Sequence, residues 1–120
     1  MKLSDREWAV LNVLWVSGGA GLGELVRQLR PETGWSRNTV LTYLTRMEAK
    51  GLVRIDAEAV PHLYHAAIDR DACRAQEGRS FLQSVYRGST GDLIAAFLKQ
   101  EKLSGKEMER LRKLLDEMEV

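Results

Sequence analysis

Apolar positions along the chain fall into a succession of short periodic runs, each closed by glycine, proline or a small polar residue. Trp8, Val10, Leu11, Val13, Leu14 and Trp15 recur at helical spacing. Ser4 stands where an N-cap belongs, Glu7 completes a capping box with it, and Gly18-Gly19 ends the run. Leu22, Leu25, Val26 and Leu29 predict a second helix over about Leu22–Leu29, closed by Pro31 and Gly34. A third helix is expected from Ser36, its N-cap, to just before Gly51, with Val40, Leu41, Leu44 and Met47 turned to a core. The pattern then changes period. Leu52-Val53-Arg54-Ile55 predicts a strand, Asp56–Pro61 a turn, and His62-Leu63-Tyr64-His65 the returning strand. Three helices followed by a hairpin describe a helix-turn-helix with a wing. The remainder predicts helices over Asp69–Tyr86, Asp92–Glu101 and Ser104–Glu119, with Gly88 closing the first and Ser104 and Glu107 forming another capping box.

The expected fold is therefore mainly α with a small β-hairpin wing: a winged helix-turn-helix over residues 1–67 and a helical dimerisation region over residues 68–120. Phe81, Leu82 and Val85 form one apolar stripe, and Met108, Leu111, Leu114, Leu115 and Met118 another. Short helices cannot bury all of this alone, and a second copy of the chain is the economical cover.

Composition adjusts this picture in a few places. The 120 residues suffice for one domain plus an oligomerising element, and 44% hydrophobic residues suffice for a modest core. A net charge of +1 does not announce nucleic acid, but the charge is unevenly spread. From Arg27 to Arg54 six basic residues face two acids, Glu32 and Glu48, whereas from Ile68 onward there are ten of each sign. Local basicity of that kind marks a docking face. The single cysteine, Cys73, excludes an intrachain disulfide framework. MKLSDREW has no signal-peptide character, and no apolar run approaches the roughly 20 residues that span a bilayer. A cytoplasmic protein with no membrane partner is expected.

The segment WSRNTVLTYLTRMEAKG, residues 35–51, carries the candidate chemistry. At about 100° per residue, Asn38, Thr39, Thr42, Thr45, Arg46, Ala49 and Lys50 gather opposite the apolar side, and no carboxylate joins them; Glu48 falls at the edge of the apolar side. Small hydroxyl and amide groups let a helix sit deep in a major groove. There Asn can pair with adenine, Arg with guanine, and a Thr methyl can touch a thymine methyl. Phosphate suits the helix N-terminus, where Ser36 and Arg37 stand. Arg46, Lys50 and, at the base of the wing, Arg54 can neutralise further phosphates. Double-stranded DNA is the expected partner.

Taken together, LSDREWAVLNVLW, the segment just described with its KGLV continuation, LYH in the hairpin, SFLQSVYRGS, LIAAFL and LSGKEMERLRKLL resemble the BlaI/MecI/CopY group of bacterial penicillinase repressors. The resemblance runs from about Leu3 to Leu115. It implies a homodimeric winged-helix transcriptional repressor on a pseudo-palindromic operator. Thr39, Thr42 and Arg46 would be the contact positions of the third helix in the major groove. It also implies a dimer interface from about Ile68 onward, carried by Phe81, Leu82, Val85, Tyr86, Leu93, Phe97, Leu98, Met108, Leu111 and Leu115. In penicillinase repressors a sensor-metalloprotease pathway cuts an Asn-Phe bond in this half, and the matching bond here is Ala96-Phe97, without the Asn. The cysteine run of the copper-sensing branch has no counterpart. The wing segment DAEAVP carries two acids and no base, so little phosphate binding is expected of it.

Other features invite sharper readings that the residues support less well. His62 and His65 form an H-x-x-H without a third ligand nearby, so no metal is expected. Cys73, between Arg70 and Arg74, is a redox thiol or a small helical filler, and the filler is preferred. Gly18–Gly23 lacks the Lys-Ser/Thr of a phosphate loop and follows a helix, so it is a connector. Nothing resembles a catalytic constellation, and no enzyme activity or cofactor is expected. The alternatives are a winged-helix module that binds a protein, favoured by the acidic wing, and a regulator responding to a small ligand.

Overall fold

A computed structural model describes residues 2–118. The chain divides into two compact units, Met1–Glu77 and Gly78–Val120. The elements in order are α1 (Asp5–Ser17), α2 (Leu22–Thr33), α3 (Arg37–Ala49), β1 (Val53–Asp56), β2 (Leu63–Ala66), α4 (Arg70–Tyr86), α5 (Thr90–Gln100) and α6 (Gly105–Met118). The fold is mainly α with one antiparallel hairpin, pairing Val53 with Ala66, Arg54 with His65, Ile55 with Tyr64 and Asp56 with Leu63. No helix among the described residues is long and apolar enough to cross a membrane.

In the first unit α1 packs on α2, α2 on α3, and α3 and α1 on the hairpin. Val10, Leu11, Leu14, Leu25, Leu29, Val40, Leu44, Met47 and Leu52 are fully buried at the centre. α1, α3 and α4 start at the side-chain caps expected of them. The Ser4 hydroxyl accepts from the Glu7 N–H, and the Glu7 carboxylate accepts from the Ser4 N–H, completing the capping box. Ser36 accepts from Thr39 N–H at 3.2 Å, and Asp69 from Ala72 N–H at 3.0 Å. Gly18 closes α1 in the left-handed conformation, at φ 72°.

Several boundaries move for identifiable reasons. Pro31 does not stop α2, which continues to Thr33. Proline removes one N–H, but its φ suits a helix, and the last turn is satisfied otherwise. The Thr33 hydroxyl donates to Leu29 O at 2.8 Å and the Gly34 N–H to Arg30 O at 2.8 Å. Both strands lie one residue later than expected. Leu52 N–H is used to close α3, donating to Met47 O at 2.9 Å, so the ladder begins at Val53. His62 lies outside β2, in the turn. α5 begins at Thr90 because Ser89, not a residue near Asp92, is the cap. α6 keeps half of its expected capping box, Glu107 N–H to Ser104 Oγ at 3.2 Å. Glu119, expected to end that helix, lies outside the described residues.

The glycine-rich connector after α1 is more than a spacer. Ala20 and Tyr64 exchange backbone hydrogen bonds of 3.0 and 2.8 Å, an isolated antiparallel bridge on the free side of β2. Gly19 (φ 130°) lies against the His65 ring, where a Cβ would come within 2.4 Å of Cε1. Only glycine satisfies both the dihedral and the space. At the other end of the hairpin, Trp15 Nε1 donates to Ile68 O at 2.9 Å.

One charged group is buried in this unit. The Glu7 carboxylate accepts from the Ser4 N–H at 3.0 Å and from Lys50 Nζ at 2.8 Å, joining the start of α1 to the end of α3. Burial by itself would raise the Glu7 pKa. The hydrogen bonds from Lys50 and Ser4 and the Lys50 charge more than offset this and hold it below the ordinary value of 4.5. Such a group stabilises the fold above its unfolded pKa, and the contribution disappears as pH falls through the lowered folded value. Glu7→Gln keeps the capping geometry and removes the charge. Because Lys50 is half-exposed, the loss at pH 7 should be on the order of 1 kcal/mol. In urea titrations the gap to wild type should narrow as pH drops below 4.5. A gap independent of pH would rule out the ion pair as its source.

Candidate nucleic-acid interface

The candidate site is built on α3, and its geometry starts from a narrow apolar stripe. Only Val40, Leu44 and Met47 are buried on this helix. Leu41, expected in the core, is 41% exposed. The reason is angular. Val40, Leu44 and Met47 span a tight arc, and Leu41 lies roughly 60–120° beyond it at about 100° per residue. The helix is thus free over more than half its circumference.

Asn38, Thr42, Thr45, Arg46, Ala49 and Lys50 are exposed on that free surface, with Thr39 half-buried beside them. Arg37 is exposed at the helix start. Glu48 is also exposed, on the flank that carries Leu41, so the acid-free arc is the one centred on Asn38, Thr42, Thr45 and Ala49. The threonines are internally organised. Thr42 Oγ1 donates to Asn38 O and Thr45 Oγ1 to Leu41 O, each at 2.9 Å, while Thr39 Oγ1 lies 3.1 Å from Ser36 Oγ. Donation to the preceding turn explains how three poor helix formers are tolerated here, and it leaves their oxygens able to accept.

The cations divide into two groups. Arg37, Arg46 and Arg54 make no ion pair among the described residues, whereas Lys50, expected on the same face, is engaged by Glu7. Arg37 also lines a groove of about 620 Å³ with Gly21, Glu24, Pro61, His62 and Tyr64, between the start of α2 and the wing. Arg54 is exposed on β1, opposite His65. The wing turn holds Asp56, whose carboxylate accepts from Glu58 N–H at 3.2 Å, and Val60, which is 95% exposed. It offers a phosphate no cation.

Two supporting contacts were not legible beforehand. Trp35 is 9% exposed and stacks on Tyr43 with centroids 4.3 Å apart and planes 12° from parallel, pinning the first turns of α3. The Arg6 guanidinium lies 6.0 Å from the Trp35 ring centroid on another side. The eight-residue separation of Trp35 and Tyr43 is the one sequence signal that could have suggested their stack.

In the second unit, α5 and α6 bury no residue. Phe81, Val85, Phe97, Leu98, Met108, Leu111 and Leu115 are exposed, while Leu82, Tyr86 and Leu93 are half-buried. Ile94, overlooked among the interface candidates, is exposed too; its spacing from Leu98 was the available signal. Ile94 and Leu98 of α5 line an apolar cavity of about 200 Å³ with Met108, Leu111 and Leu115 of α6. Ala96 is half-buried and Phe97 exposed, and the bond between them lies inside α5. Cys73, in the first unit, is buried in the core, and burial and the nearby Glu77 raise its thiol pKa, which suits the filler role.

A family model described as penicillinase repressor matches residues 3–117. The chain belongs to the penicillinase-repressor family. It is 26% identical over 115 residues to the methicillin resistance regulatory protein MecI of Mammaliicoccus sciuri, covering 96% of this chain and 94% of that one. It is 29% identical over 116 residues to the penicillinase repressor of Bacillus licheniformis, covering 97% and 91%. Among solved structures, the PcaV transcriptional regulator from Streptomyces coelicolor is a distant likeness, with TM-score 0.46, 18% identity, and coverage of 83% and 77%. The repressor is thus a DNA-binding transcriptional regulator and not an enzyme.

Trp35→Ala should destabilise the repressor by about 3–5 kcal/mol, whereas Trp35→Phe, which keeps an aromatic face for Tyr43, should retain most of that stability. Urea denaturation of the two variants measures the difference. Equal losses would remove the stack as the holding interaction.

Proposed function

We propose that two copies of the chain bind a pseudo-palindromic operator as a repressor, each placing α3 in a major groove. The observation that carries the proposal is the exposed, acid-free arc of α3. In a chain that is 29% charged, an ordinary solvated face would mix both signs. A face meant for DNA excludes the negative one, because carboxylates there would meet phosphates. Asn38, Thr42 and Thr45 approach base edges, and Thr39 and Ser36 lie at the entry to the groove. Arg37, Arg46 and Arg54, without carboxylate partners among the described residues, neutralise backbone phosphates and set register. Lys50 contributes mainly by holding α3 to α1 through Glu7. The acidic wing stands off the backbone.

The second unit supplies dimerisation in this proposal. Exposed Phe81, Val85, Phe97, Leu98, Met108, Leu111 and Leu115 form more apolar surface than a monomer keeps in water. A two-fold pair would fix the distance between recognition helices and hence the half-site spacing. Relief of repression is proposed to follow cleavage at Ala96-Phe97 by a sensor-protease pathway. Because that bond sits within a hydrogen-bonded helix, the protease would have to open α5 first.

A binding titration against the protein's own upstream DNA and a scrambled duplex, at two salt concentrations, tests the proposal. Tight, steeply salt-dependent binding to the first, with a protected two-fold site, is expected. Equal weak binding to both would direct attention to a protein partner instead. Arg46→Ala should weaken binding to every duplex and flatten the salt slope by about one unit; an unchanged slope would remove Arg46 from the phosphate role. Thr42→Ala should alter which operator positions matter, at about 1–3 kcal/mol for a lost base contact. An unaltered preference profile would exclude Thr42 as a reader.

A further inference from the structure

We infer that Leu41 is a specificity-determining residue that selects a thymine, through its C5-methyl group, in each half-site. The inference deepens the operator reading above and rests on it. Among the described residues of the first unit, three large hydrophobic side chains are exposed: Val16, Val60 and Leu41. Val16 is in the last turn of α1 and Val60 in the wing turn, both outside α3. Leu41 alone belongs to the helix proposed to enter the groove.

Its position there is specific. Leu41 follows Asn38 by three residues and precedes Thr45 by four, which places it at the edge of the acid-free arc, with Glu48 on its other side. Thr45 Oγ1 donates to Leu41 O at 2.9 Å. The apolar neighbours Val40 and Leu44 are fully buried, whereas Leu41 is 41% exposed. On the groove floor an aliphatic side chain can form a favourable contact with one feature, the thymine methyl. Cytosine has no methyl at C5, so the contact is missing there, and Leu41 favours thymine over cytosine by that contact.

The experiment uses the high-affinity duplex that the wild-type protein selects from a randomised pool. Each thymine is replaced in turn by deoxyuridine, which removes only the methyl, and dissociation constants are measured for wild type and Leu41→Ala. At one position per half-site the replacement should weaken wild type about fourfold, the worth of one buried methyl-sized group, and leave Leu41→Ala unchanged. Such non-additivity identifies contact between the two deleted groups. Leu41→Ala should also accept cytosine at that position, while its affinity for a scrambled duplex stays at the wild-type level and reports an intact fold. Deoxyuridine effects that are the same in both proteins at every position overturn the inference and leave the operator reading standing. Failure of the wild type to select any sequence overturns both.

Discussion

The first unit depends on a single constraint: α3 must be held firmly by a narrow part of its surface. Val40, Leu44 and Met47 are the only buried positions on the helix, and a three-residue stripe gives little purchase by itself. The rest of the unit supplies what the stripe lacks. Ser36 caps the N-terminus, Trp35 stacks on Tyr43, Leu52 N–H closes the last turn, and Lys50 reaches Glu7 at the start of α1. The helix is clamped at both ends so that most of its circumference remains available.

This arrangement explains the unusual composition of the exposed arc. Threonines weaken a free helix, yet here their hydroxyls bond the preceding turn while end clamps and core contacts keep the helix formed. Carboxylates, which ordinary solvated helices mix with lysines for stability, are absent from the arc centred on Asn38, Thr42, Thr45 and Ala49. Local helix stability is conceded there for a surface of small accepting groups, consistent with the proposed role of the face.

The two units follow different rules. The first closes its own core around fully buried Val10, Leu11, Leu14, Leu25, Leu29, Val40, Leu44, Met47 and Leu52. In the second, α5 and α6 bury nothing among the described residues and expose Ile94, Phe97, Leu98, Met108, Leu111, Leu114, Leu115 and Met118. Helices with that pattern are stable in water when another apolar surface covers them. The proposed dimer would supply that cover with a second copy of the same surface.

Much of this was legible in the sequence. The caps at Ser4, Ser36, Asp69 and Ser104, the glycine stops and the change from helical to alternating period are all local, involving residues within a turn or two of one another. Their physics survives in any tertiary context, so helix order, hairpin and candidate face could be read directly. Tertiary structure decided the rest. The Lys50–Glu7 bond joins residues 43 positions apart and removes Lys50 from the free cations. The Ala20–Tyr64 bridge links a connector to a strand that the intervening helices bring beside it. Sequence places Leu41 in the core because its hydrophobicity matches its neighbours, yet it is 41% exposed. Only the position of α3 against α2 and β1 shows how little of the helix is covered, and burial is a property of that packing, which no single helix encodes.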